Sequence, residues 1–172
     1  MKYFSGFSLE NEVTLFKDFI VDTDTTIVGF SYGAQQAIDY AYTYTKRIDR
    51  IILLSPAFFQ TQKASFIRAQ LRYFEANKDA YVSQFLQNVM YPSNTTIDHY
   101  LNIGTTKELE SLLCYKWDKQ KITTLLERGI TIEVFMGEKD KIVDTNEASK
   151  FFQNTTNYII KDAGHLLRSK HD

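Results

Sequence analysis

Gly29-Phe30-Ser31-Tyr32-Gly33 sets a serine between two glycines at a spacing that suits a tight strand-to-helix turn. Such a turn holds the hydroxyl clear of the backbone, and glycine is needed where a larger side chain would collide. A serine hydroxyl becomes a nucleophile only when a base takes its proton. Histidine serves as that base when a carboxylate holds it in one tautomer. The chain supplies the groups in the order serine, acid, base: Ser31, then Asp140 in Gly137-Glu138-Lys139-Asp140-Lys141-Ile142-Val143, then His165 in Ala163-Gly164-His165. Their joint chemistry is acyl transfer through a covalent serine intermediate.

The chain holds rivals for two of these roles. His99 falls inside a helical stretch and His171 lies one residue from the C-terminus, whereas His165 follows a strand and a glycine. Asp144 is the alternative acid. Asp140 is favoured because Ile142-Val143 can anchor its loop in the core. Acyl transfer also needs donors for the oxyanion, commonly two backbone N–H groups. One is expected from Tyr32, directly after the nucleophile. The other is expected from Phe7 in the early loop Ser5-Gly6-Phe7-Ser8.

These residues need a scaffold that brings them to one edge. Met1 to Phe4 is a short apolar start, and Val13, Phe16, Phe19 and Ile20 then recur at helical spacing. Thr26-Ile27-Val28-Gly29-Phe30 and Ile51-Ile52-Leu53-Leu54 are continuous apolar runs, as strands covered on both faces are. Between them, Ala34, Ala37, Ile38 and Ala41 form the small-residue face of a helix. Residues 63–128 show helical periodicity and no strand. Strand character returns at 130–136 and 158–160, separated by a short helix around 148–152. Strands alternating with helices predict a parallel sheet. Ligands bind at the C-terminal edge of such sheets, so a helical insert placed there after the third strand would act as a cap. The expected division is a core of residues 1–62 and 129–172 with a cap of residues 63–128.

Composition narrows the function classes. The 172 residues suffice for one domain with a real core, and 44% are hydrophobic. A formal net charge of −1 gives no general pull toward nucleic acid or membrane surfaces. The single cysteine, Cys114, cannot form an internal disulfide, which suits a reducing compartment, so the cytoplasm is the expected location. No signal peptide or membrane-spanning run is read, and the chemistry calls for no cofactor or metal.

Taken together, the chain resembles the α/β-hydrolase superfamily from about Phe4 to His165. It is similar in particular to the short BioV-type pimeloyl-acyl carrier protein methyl ester esterases of biotin synthesis. The segments that carry this likeness are Phe4-Ser5-Gly6-Phe7, Gly29-Phe30-Ser31-Tyr32-Gly33-Ala34, Ala37-Ile38-Asp39-Tyr40-Ala41, Leu54-Ser55-Pro56 and Ile132 to Asp140. The resemblance implies Ser31 as nucleophile, His165 as base, Asp140 as its orienter, and the Phe7 and Tyr32 N–H groups as the oxyanion hole. It also implies that a methyl ester is removed from a pimeloyl chain held by an acidic acyl carrier protein. Arg68 and Arg72, four apart and opposite the Phe66–Leu71–Phe74 face, are then candidates for docking that carrier. Phe58, Phe59, Phe66, Tyr73 and Trp117 are candidates to line the acyl channel. A general short-chain carboxylesterase or thioesterase is the alternative, followed by a binding module that keeps the serine without turnover.

The chain departs from the family in two ways. Ser5-Gly6 stands where most members have His-Gly, and the first two strands with one further strand–helix pair are missing. The fold is therefore expected to be a reduced version, about five parallel strands in sequential order. Right-handed crossovers would then put every connecting helix on one face. The opposite face is expected to be covered by a rearranged helix or by a second protomer.

Overall fold

The computed structural model describes all 172 residues. Its centre is one parallel sheet in the order β1-β2-β3-β4-β5, formed by Lys2–Phe4, Thr26–Phe30, Arg50–Leu54, Thr131–Gly137 and Thr156–Ile160. The register aligns Phe4 with Gly29, Gly29 with Leu53, Leu53 with Val134, and Val134 with Asn157. All strands therefore end at one edge, and the loops leaving β2, β4 and β5 there carry Ser31, Asp140 and His165. Every residue of β2 is buried, which explains its unbroken apolar run.

The pleat sorts the strand side chains into two cores. Ile27, Ile51, Leu53, Ile132, Val134 and Met136 face one way, against helices α1 (Tyr32–Thr43), α5 (Lys119–Glu127) and α6 (Thr145–Phe151). Ala34, Ala37 and Ala41 let α1 lie close to the strands there. Val28, Phe30, Ile52 and Leu54 face the other way.

That second face is covered from within the chain. A 3₁₀ stretch, Glu12–Phe19, crosses it between β1 and β2 with a kink at Phe16. The Phe16 ring packs 4.6 Å from Phe30, Phe19 packs 5.3 Å from Phe135, and Phe135 stacks on Tyr158 at 4.6 Å. Leu166 and Leu167 join the same core, and Arg168 donates to the Leu15 carbonyl at 3.0 Å. Arg50 and Glu133, neighbours across β3 and β4, form an ion pair on this side.

The chain sweeps the sheet in one direction, yet its first connection lies opposite the other three. That connection therefore has the opposite hand. Parallel crossovers almost always share the right-handed sense, so the expectation of helices on one face fails at this one link. The rearranged helix is what fills the gap.

The segment 63–128 divides in two. Helices α2 (Ala64–Ala76), α3 (Lys78–Met90) and α4 (Thr106–Cys114) sit over the edge where the strands end, and Phe74, Leu86, Val89, Leu109 and Leu112 extend the second core upward. The Asn77 side chain accepts from Ala80 N–H at the start of α3, and Thr105 and Glu108 form a reciprocal capping box on α4. Helix α5 instead packs on the sheet through Ile122 and Leu125, beside α1. Helical periodicity reports an apolar stripe without naming its partner, which is why α5 looked like cap. No helix is long and apolar enough to cross a membrane.

Candidate active site

Ser31 terminates β2 with φ 52° and ψ −110°, a conformation that costs energy in any residue with a Cβ. The flanking backbone enforces it. A Cβ on Gly29 would overlap the Gly33 carbonyl, and one on Gly33 would overlap the carbonyls of Phe4 and Ser5. Ser31 N–H donates to Leu54 O at 2.9 Å, and Ala57 N–H donates to Ser31 O at 3.1 Å. The nucleophile is thus locked to the end of β3.

Ser31 Oγ lies 2.9 Å from His165 Nε2, and His165 Nδ1 lies 2.6 Å from Asp140 Oδ2. Asp140 keeps its other oxygen for its own loop, where Oδ1 accepts from Ile142 N–H at 2.7 Å and Val143 N–H at 3.0 Å. Asp144, the rival acid, caps α6 by accepting from Glu147 N–H. The His165 ring is fully buried, 5.2 Å from the Phe30 ring, and Ser55 Oγ donates to the His165 carbonyl at 2.7 Å. With Nδ1–H donating to Asp140, Nε2 is free to accept the serine proton.

Tyr32 opens α1, so its N–H has no acceptor within that helix. Phe7 N–H donates to no other group of the protein, although its loop runs against Gly33. Both are therefore available to an oxyanion. The Phe7 ring turns the other way, into the cap, 5.9 Å from Phe74 and 5.8 Å from Phe85. Around it the loop is stitched to residues 100–104: Glu10 N–H donates to Tyr100 O, Asn102 N–H to Ser8 O, and Gly104 N–H to Ser8 Oγ.

A cavity of about 660 Å³ lies under the cap beside this constellation. Phe59, Phe66, Tyr73, Phe85, Leu112 and Ile142 form its apolar wall. Ser31 itself is only 3% exposed and does not line the cavity. Two of its lining residues adjoin the site: Phe85 touches Phe7, and Ile142 N–H donates to Asp140 Oδ1.

Of the expected channel residues, Phe59, Phe66 and Tyr73 line the cavity. Phe58 and Trp117 do not. Both belong to the core on the α1 side, with Trp117 Nε1–H donating to Ala57 O at 2.9 Å. Arg68 and Arg72 are both exposed on α2, and the Arg72 guanidinium lies 5.6 Å from the Tyr73 ring. Three supporting residues escaped the sequence reading. Ser55 holds His165 in place. Gln35 Nε2–H donates to both Ala57 O and Leu112 O, tying α1 to the cap. Glu12 is fully buried beside the Phe7 loop, and its signal was an acid four residues before Phe16 on an apolar face.

The alpha/beta hydrolase fold family matches residues 5–171. This chain belongs to it. Among solved structures, the chain is similar to MenH from S. aureus (15% identity, TM-score 0.62, covering 95% of this chain and 85% of that one). It is also similar to BioG from Haemophilus influenzae (11% identity, TM-score 0.58, covering 95% and 87%). The naproxen esterase, carboxylesterase NP, from Bacillus subtilis matches at 20% identity and a TM-score of 0.56, over 83% of this chain and 53% of its own. The chain thus spans about half the length of that esterase, and at these identities the likeness is one of fold. No curated protein matches the chain.

Proposed function

We propose that this α/β hydrolase is a serine carboxylesterase that removes the methyl ester from pimeloyl-acyl carrier protein methyl ester. The observation that carries the esterase reading is the Ser31–His165–Asp140 relay, with hydrogen-bond distances of 2.9 and 2.6 Å and free N–H groups in the residues beside it.

In the reaction, His165 Nε2 takes the Ser31 proton as Oγ bonds to the ester carbonyl carbon. The carbonyl oxygen becomes an oxyanion, to which the Phe7 and Tyr32 N–H groups donate. The positive end of α1 favours the same charge. When the tetrahedral species collapses, the carbon–methoxy bond breaks and His165 returns the proton to methoxide, releasing methanol. Water, activated by the same base, then cleaves the acyl-serine and restores Ser31. Each oxyanion donor is worth about 3–4 kcal/mol in such reactions.

Three features support the substrate. The resemblance in the motif segments is to pimeloyl-carrier esterases. The apolar cavity is large enough for a seven-carbon chain. Arg68 and Arg72, exposed on the cap and in no ion pair, suit an acidic carrier.

The test is mass spectrometry of methyl-pimeloyl acyl carrier protein incubated with the wild type and with Ser31→Ala. Loss of the methyl group with the wild type alone is the expected result. Equal turnover of carrier-free short esters would favour the general carboxylesterase. A wild type that neither demethylates this substrate nor reacts with a fluorophosphonate would sink both.

A further inference from the structure

Glu12 is the only fully buried acidic residue in the protein, and the relay described above does not use it. Burying a carboxylate is costly unless its oxygens are paired. Here Oε1 accepts from Gly6 N–H at 2.8 Å and from Tyr3 O–H at 3.1 Å, while the buried Oε2 has no partner. The fold retains a carboxyl with one unpartnered oxygen beside an apolar core. Departures of this kind concentrate where function requires them.

What Glu12 holds is the peptide next to an expected catalytic donor. Two peptide planes meet at the Gly6 Cα. The first ends in Gly6 N–H, which Glu12 grips. The second contains Gly6 C=O and Phe7 N–H, pointing in opposite directions because the unit is planar and trans. Leu9 N–H donates to that carbonyl at 3.2 Å, which leaves Phe7 N–H facing away with no protein acceptor. Glycine has the widest torsional freedom of any residue. Nothing larger fits, since a Cβ on Gly6 would lie 2.8 Å from the Phe30 ring. The chain is thus loosest at the point where a donor must be aimed. Glu12 on one plane and Leu9 on the other remove that looseness.

We propose that Glu12 is a positioning residue for the oxyanion site: its Oε1 fixes the Gly6 peptide and thereby aims Phe7 N–H. This rests on the esterase reading, in which Phe7 N–H meets the oxyanion. Tyr3 supports the clamp from the far side. Burial first, and then Glu12 beside it, push the Tyr3 phenol well above its ordinary range, so it stays a donor across working pH.

The experiment measures the second-order rate at which a fluorophosphonate labels Ser31, as a function of pH, in the wild type, Glu12→Ala, Glu12→Gln and Glu12→Asp. Glu12→Ala should label about 10²-fold more slowly, the scale of losing one oxyanion donor. The pH midpoint of labelling should not move, because the Ser31–His165–Asp140 relay is untouched. Glu12→Gln keeps the acceptor oxygen and should recover most of the rate. Glu12→Asp keeps the carboxyl group but withdraws the oxygen by one carbon, so it should stay slow, and it stands in if the alanine variant does not fold. Wild-type labelling by Glu12→Ala or Glu12→Asp would overturn the proposal. So would a fall accompanied by a shifted midpoint that Glu12→Gln does not repair, which marks a general structural role. A wild type that is not labelled would overturn the esterase reading itself.

Discussion

The catalytic floor and the cap above it are held by different forces. On the floor, main-chain hydrogen bonds do the holding. Ser31 N–H binds Leu54 O, Asp140 Oδ1 is gripped by two loop N–H groups, and Ser55 Oγ binds the His165 carbonyl. Over the cavity, side-chain packing dominates, through Phe74, Leu86, Val89, Leu109, Leu112 and Leu113. Hydrogen bonds are directional and fix atoms to fractions of an ångström. Apolar packing tolerates volume-conserving change at a cost usually under about 1.5 kcal/mol. The atoms of the floor are therefore held more tightly in place than those of the cap, whose packing tolerates more change.

The sharpest way to break this contrast is on the floor. Ser31→Ala should cut kcat by about 10⁶-fold, measured by ester hydrolysis, with the fold intact by circular dichroism. Asp140→Asn comes next. Its amide would donate to His165 Nδ1 and force the wrong tautomer, so kcat should fall by about 10⁴-fold with KM little changed. If either variant mainly raised KM, the floor would not be the seat of chemistry.

Cap changes should move specificity instead. Gln84 lines the cavity from an exposed position on α3, so Gln84→Trp can fill the space without disturbing the core. We expect kcat/KM to fall about tenfold for a long acyl ester and to hold for an acetate ester, the scale of a few apolar contacts. Equal loss on both would mean that the cavity does not take the acyl chain. Reversing Arg68 and Arg72 to Glu is the mildest test. Carrier-linked turnover should weaken by severalfold at low salt and recover less of its salt dependence, while a small free ester is unaffected.

Much of the floor was legible in the sequence because its signals are local. The apolar runs at 26–30 and 51–54 and the serine between two glycines each report a strand or turn by themselves. Asp140 and His165 could be placed because each lies just beyond a strand. What could not be read depends on which element meets which. The stripe Ile122, Leu125 is equally apolar whether it faces a cap or a sheet. Phe58 and Trp117 are as aromatic as Phe59 and Tyr73, yet they turn to the opposite side of the sheet. The reversed hand of the first connection follows from strands this chain lacks, and no residue within 5–25 marks it. Glu12 drew no reading because a glutamate one turn before Phe16 is ordinary on a surface helix, and its burial depends on contacts with Tyr3 and Gly6.

Phe7 joins the floor to the cap within one residue: its N–H is left without a protein acceptor, while its ring is sunk among Phe74 and Phe85. If the cap is pried apart, the ring loses its socket and the N–H loses its aim. A molecule too bulky for the cap to settle over could still be bound, but it would be held without being cut. Discrimination of that kind would appear as a lowered turnover number with little change in apparent affinity.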